Sequence, residues 1–262
     1  MTVALASIHH DPDGRLTAQA RRVLPALMRI FDALAVQATE QTPDSALAPL
    51  AESGALVRRG PSDGHLQLGR ARRAALALGL EHEPHTLLFC DLDRALHWAE
   101  RHPKELERAA RHIGRYDFTV LGRTPRAFGS HPRAQRDTEA IVNHVFAQVS
   151  GLAWDVTAAA RGVSRRAAQA ILAGCPDETI GTDVSWPLFV QRAGGLTLGY
   201  LATEGLEFET PDRFGDEIAA AGGLDAWLAA LDADPRQWAL RLDIARVEVA
   251  AAVPYTSTAR QH

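Results

Sequence analysis

Lysine is almost missing from this sequence. Of 28 basic residues in 262, Lys104 is the single lysine and the others are arginine. That scarcity excludes a phosphate-gripping loop of the Gly-Lys-Ser/Thr kind, and a Schiff-base lysine anywhere but position 104. Cysteine is scarce too. Cys90 and Cys175 are too few for a disulfide scaffold and suit a reducing compartment. No apolar run approaches the roughly 20 residues that span a bilayer, and the first residues lack the basic-then-apolar order of a secretory leader. No excess of positive charge accumulates either: the formal net charge is -4 and the pI about 6.3. These absences set the expectation of a cytoplasmic protein with no transmembrane segment and no nucleic-acid partner.

What is present is ordinary globular material. A hydrophobic content of 46% with 23% charged residues is enough for a real core, in one α/β domain or two small ones. Apolar strand-like runs at residues 3–8, 33–38, 55–59 and 86–90 alternate with helical patterns at 16–31, 45–53 and 66–80. This alternation predicts a doubly wound, mostly parallel sheet with helices on both faces. Further on, the pattern predicts a charged helix over 95–112, a strand over 117–121 and an Arg/Pro/Gly-rich loop over 122–136. Helices over 138–149 and 164–173 follow, then one running to 192 and a strand over 196–201. The tail predicts helices near 215–221, 225–231 and 235–252, with 254–262 loosely attached.

The chemistry concentrates in TLLFCDLDR, residues 86–94. A buried strand running into Asp91 and Asp93 puts two carboxylates at its C-terminal end, and residues i and i+2 of a strand face the same way. Such a pair suits a hard divalent cation, and the crevice beyond the strand ends is where open α/β sheets bind ligands. The competing reading makes the acids solvated or helix-capping. Asp183, at the start of the helix that ends near 192, has the same two readings.

Several segments in sequence order resemble the GT-A nucleotide-diphospho-sugar transferases, and among them glycosyltransferase family 2. VALASIHH (3–10) resembles the first donor-binding strand, and AVQATEQTPDS (35–45) the second, with its polar base-recognition end. GHLQLGRARRAALALGL (64–80) is similar to the helix placed beside the nucleotide, and LLFCDLDR (87–94) to the strand with the DxD metal motif. The run RGVSRRAAQAILAGCPDETIGTDVSWPLFVQRAGGLTLGYL (161–201) resembles the family's acceptor segment, turn, acidic pair and closing strand.

The resemblance implies a GT-A domain over residues 1–210 and a C-terminal helical extension over 211–262. It implies a metal-dependent glycosyltransferase, inverting in outcome, that uses a nucleotide-diphosphate sugar donor and a small-molecule or lipid-linked acceptor. Asp91 and Asp93 would hold Mg²⁺ or Mn²⁺ against the diphosphate. Asp183 would be the base, although the first acid of the usual pair is Thr182 here. Glu40, with Thr39 as its competitor, would meet the nucleobase, and Arg70 the base or phosphate. His9 and His10 stand at a strand end that faces the donor. No histidine lies between Phe146 and Arg260 to complete a metal site, which leaves Glu204 or Glu207 as substitutes. Trp154 and Trp186 have two readings, sugar stacking and core. A dimer contact is one role open to the extension. The competing functions are a haloacid-dehalogenase-type phosphatase built on Asp91 and Asp93, and a non-catalytic nucleotide-sugar-binding protein.

Overall fold

The computed structural model describes residues 1–62 and 64–256. Strands and helices alternate from the start: β1 Val3–His9, α1 Thr17–Ile30, β2 Ala33–Thr39, α2 Asp44–Glu52, β3 Leu56–Gly60, α3 Leu68–Leu80 and β4 Thr86–Phe89. Next come α4 Leu92–Arg101, α5 Pro103–His112, β5 Phe118–Arg123, α6 Pro125–Gly129, α7 Arg133–Ser150, β6 Ala160–Ser164, α8 Arg165–Gly174, α9 Thr182–Ala193 and β7 Leu198–Thr203. The chain then forms α10 Gly215–Ala220, α11 Leu224–Ala233 and α12 Pro235–Ala252, ending in a 3-10 turn, Val253–Tyr255.

The seven strands form one sheet in the order β3-β2-β1-β4-β6-β5-β7, in which β6 alone runs antiparallel to its neighbours. This is the doubly wound, mostly parallel sheet that the alternation predicts. The central strands are apolar throughout because both of their faces are covered. Leu88 enters the core with Leu24, Leu34 and Trp98, while its neighbours Leu87 and Phe89 enter the opposite core with Leu76, Phe146 and Trp186. Close packing on that second face depends on Gly79, where a Cβ would come within 2.8 Å of Leu87 Cδ2 and 3.0 Å of Ala6 Cβ. The sheet order reverses between β1 and β4, so their C-terminal ends open a crevice at the switch point.

Three expectations are corrected, and one strand is unanticipated. The helix expected over 95–112 is two, because Pro103 can start a helix but not continue one, and His102 takes the break at φ -133°, ψ 51°. The loop expected over 122–136 is mostly regular: β5 runs on to Arg123, Thr124 caps α6 through its hydroxyl, and α7 begins at Arg133. β6 has no strand-like sequence. It carries a buried arginine, and Gly162, where a Cβ would come within 2.3 Å of Ile113 Cβ, permits a close crossing that strand propensity does not reveal. Finally, Tyr255 is half-buried, with its hydroxyl 3.8 Å from Cys175 Sγ, between the exposed Pro254 and Thr256, whereas 257–262 lie outside the described residues.

α12 lies against α7 and α9 and buries Ala245, Glu248 and Ala252. Among the described residues no helix is long and apolar enough to cross a membrane.

Candidate donor and metal site

β1, β2 and β3 end side by side, and their last residues enclose a cavity of about 550 Å³ with the first turns of α3. Gln37, Thr39, His9, His10 and Arg70 supply its polar groups, and Ile8, Leu68 and Ala71 its apolar wall. Gly60 leaves room for the Gln37 amide, which a Cβ at that position would meet at 2.6 Å and displace. Thr39 Oγ1 shares hydrogen bonds with His10 Nδ1 at 2.9 Å and Thr42 Oγ1 at 3.1 Å. Glu40 is exposed and does not line the cavity, so of the two candidates for the base contact the structure brings Thr39. Arg70 stands at the rim, with Nε donating to Glu178 Oε2 at 2.7 Å.

His9 connects this cavity to the acids. Its side chain is buried and Nδ1 has no hydrogen-bond partner among the described residues. Burial lowers its pKa to about 4, against the pull of Asp11 and Asp93, so the ring is neutral at pH 7. Asp11 turns the chain away from the cavity and starts the next element: its carboxylate accepts from the Arg15 and Leu16 amides, both at 2.9 Å.

The two aspartates are placed differently from the expectation. β4 ends at Phe89, Asp91 is the extended residue preceding α4, and Asp93 already lies in the first turn of that helix. Strand alternation therefore does not bring them together; the turn from strand to helix does. Asp91 makes no side-chain cap, and its buried Oδ1 has no partner. Burial raises its carboxyl to about 6, with Arg72 opposing and Asp93 adding to the rise. Asp93 is engaged on both oxygens, Oδ1 by the Arg94 amide at 2.8 Å and Oδ2 by Arg213 Nη2 at 2.5 Å.

Arg213 is the residue that sequence reasoning missed. It also donates from Nη1 to the His10 carbonyl at 3.4 Å, so one guanidinium joins the ends of β1 and α4. The segment carrying it is fixed along its length. Glu207 accepts from Arg126 at 2.6 Å and meets His102 at 3.0 Å, Glu209 faces Arg94 at 3.6 Å, and Asp212 meets His97 Nδ1 at 2.8 Å. Glu204 and Glu207 are thus held by Arg126 and the histidines, and neither completes a metal site with Asp91 and Asp93. Hydrogen bonds from those partners, outweighing burial, lower Glu207 to about 2. Among the described residues no three His, Cys, Asp or Glu side chains gather as a metal cluster.

Asp183 is in the first turn of α9 and does not cap it, that position being Gly181. It is 4% exposed, and its Oδ1 lies 2.9 Å from Arg161 Nη2 and 3.1 Å from Arg72 Nη1. The carboxylate is thus engaged by two buried guanidiniums and does not stand free at the site. Thr182 does not replace the absent acid, since its hydroxyl accepts from Arg72 at 2.8 Å. Glu248 of α12 completes the cluster, and burial beside Asp183 pushes its carboxyl well above the usual range. Of the two tryptophans, Trp186 is core, edge-on to Phe89 at 5.9 Å, and Trp154 stacks on Tyr200 at 5.3 Å. Neither lines the cavity.

No family model matches this chain, and no curated protein matches it. Among solved structures, one similar chain is glucosyl-3-phosphoglycerate synthase from Mycobacterium tuberculosis, in complex with Mn²⁺, uridine diphosphate and phosphoglyceric acid. The match has a TM-score of 0.48 and 14% identity, and covers 77% of this chain and 68% of that one. The seven-stranded, mostly parallel sheet with one reversed strand and helices around it is the doubly wound architecture that the sequence alternation predicts.

Proposed function

We propose that this chain moves a sugar from a nucleotide-diphosphate donor to an acceptor hydroxyl, the donor lying across the switch point from the β1–β3 cavity to Asp91 and Asp93. One observation carries this reading: the cavity and the acid pair are neighbours, with Arg213 bonded to the rim of one and to a member of the other. The cavity offers a flat apolar wall for a nucleobase and, in Gln37, Thr39 and neutral His9, side chains that donate and accept hydrogen bonds. In the transfer, the acceptor oxygen bonds to the anomeric carbon as the bond from that carbon to the β-phosphate oxygen breaks. The nucleoside diphosphate leaves with the electron pair, and the hydroxyl proton passes to solvent.

Two carboxylates fit a divalent ion of the Mg²⁺ or Mn²⁺ class, because such ions are commonly held by one or two protein carboxylates with phosphate oxygens and water completing the shell. The buried, unpartnered Asp91 Oδ1 is the donor that gains most. Asp91 and Asp93 would hold the ion, whose charge would offset that of the departing diphosphate. Arg213 competes for Asp93 and is placed to take a phosphate oxygen when that carboxylate turns. In this proposal Asp183 is a positioning residue for Arg72 and Arg161, which removes the free base on which an inverting outcome relies.

The phosphatase reading loses support, since the acids follow the fourth strand and not the first, and Lys104 is exposed on α5. The test is release of free nucleoside diphosphate from a panel of UDP-, GDP- and dTDP-sugars. One nucleotide class turned over, with a loss of about 100-fold or more in Asp91→Asn, supports the proposal. Mg²⁺-dependent hydrolysis of a generic phosphate ester that requires Asp91, without nucleotide-sugar turnover, overturns it.

A further inference from the structure

A second cavity, of about 410 Å³, is bordered by the segment that carries Arg213. Its walls come from the start of α7, from residues 208–214 and from α10, α11 and α12. One wall is aromatic: the Trp227 ring stacks on Phe208 at 6.3 Å and on Phe214 at 5.8 Å. Its polar lining is Gln135, Thr210, Gln237, Glu217 and Arg241, with Glu217 already paired to Arg15 at 2.6 Å.

Arg241 is the unusual member. It donates from Nη2 to Gln135 Oε1 at 2.8 Å and forms no ion pair among the described residues. The acids that surround it are committed elsewhere: Glu139 to Arg123 at 2.6 Å, Glu209 to Arg94, and Glu248 to the buried Asp183 cluster. Burial lowers the guanidinium's pKa. A half-buried cation facing a cavity without a counter-ion is costly unless an anion arrives from outside. The adjacent aromatic faces favour a ligand with a broad C–H surface, as a sugar ring has. Phe214 follows Arg213 directly, so this cavity and the acid pair share one segment of chain.

We propose that this cavity is the acceptor site and that it takes an anionic sugar, a hexose phosphate or hexuronate, with its carboxylate or phosphate on Arg241 and its ring against Trp227. The proposal rests on the transferase reading for the word acceptor, but the binding site stands independently of it.

The test is calorimetric titration of the full chain with glucose 6-phosphate, glucuronate, glucose and inorganic phosphate. The wild type is compared with Arg241→Gln and Trp227→Ala, and UDP, GDP and dTDP binding is followed in parallel. At least one anionic sugar is expected to bind about tenfold or more tighter than glucose and than inorganic phosphate. That preference is expected to be lost in Arg241→Gln, with nucleotide binding unchanged, and Trp227→Ala is expected to weaken glucose and the anionic sugars alike. Equal affinity for glucose, unaltered binding in Arg241→Gln, or no binding of either anionic sugar while a nucleotide still binds overturns the site. Binding of an anionic sugar with no binding of any nucleotide keeps the site and overturns the donor reading instead.

Discussion

Burial keeps the His9 imidazole neutral in the folded chain, whereas the same ring in the unfolded chain takes up a proton near pH 6.5. Between that pH and about 4 the unfolded state binds the extra proton, so stability falls as the pH drops through this window. The contribution is on the order of 3 kcal/mol at about 1.4 kcal/mol per unit. Urea denaturation at pH 7 and pH 4.5 is expected to show a smaller loss for His9→Gln than for the wild type, and an equal loss in both would contradict the assignment. Asp183 gives a second test at this scale. If it serves to balance Arg72 and Arg161, Asp183→Asn costs stability, about 3–5 kcal/mol, because a buried pair loses one partner. A general base would behave in the opposite way, with unchanged stability and lost turnover. Of the site's side chains, His9, Thr39, Arg70, Asp91 and Asp93 were legible because each sits beside a strand end or helix start that the sequence marks. Arg213, far along the chain in a polar stretch without periodicity, left no local signal, and neither did the ties of Glu204 and Glu207 to Arg126.

At the scale of elements, α12 bears most directly on the domain boundary. Its sequence boundaries, 235–252, are legible from Pro235 and from helix propensity, but its partners are not, because a helix pattern does not say which surface it covers. The structure sets it against α7 and α9 and brings Glu248 to the Asp183 cluster. A chain ending at Ala233 is therefore expected to lose cooperative thermal unfolding, which circular dichroism would show as a broad, shallow transition. A sharp transition at the wild-type temperature would instead make residues 211–262 the separate extension implied by the resemblance. The same reasoning explains the other misses. β6 is held by β4 and β5 on its two edges and not by its own composition, so only the assembled sheet reveals it. The break between α4 and α5 was written in Pro103, but the charged pattern running across it outweighed that one residue.

For the molecule as a whole, the account is of two cavities tied to one anchored segment, residues 204–214, which lines the second and reaches the rim of the first through Arg213. The first lies at the ends of β1–β3, the second among α7, α10, α11 and α12. The alternation of strands and helices made the sheet and its switch point legible. The second cavity was not, since elements far apart in sequence build it and its aromatic residues lie outside any motif. The most direct measurement is calorimetric titration of the wild type and Asp93→Ala with UDP, GDP and dTDP, each with and without Mn²⁺. The account predicts that one nucleotide binds in a metal-dependent manner, stabilises the fold by about 2.7 kcal/mol at 100-fold excess over its Kd, and loses that metal dependence in Asp93→Ala. Failure of all three nucleotides to bind the wild type, with Mn²⁺ or without it, would contradict the account.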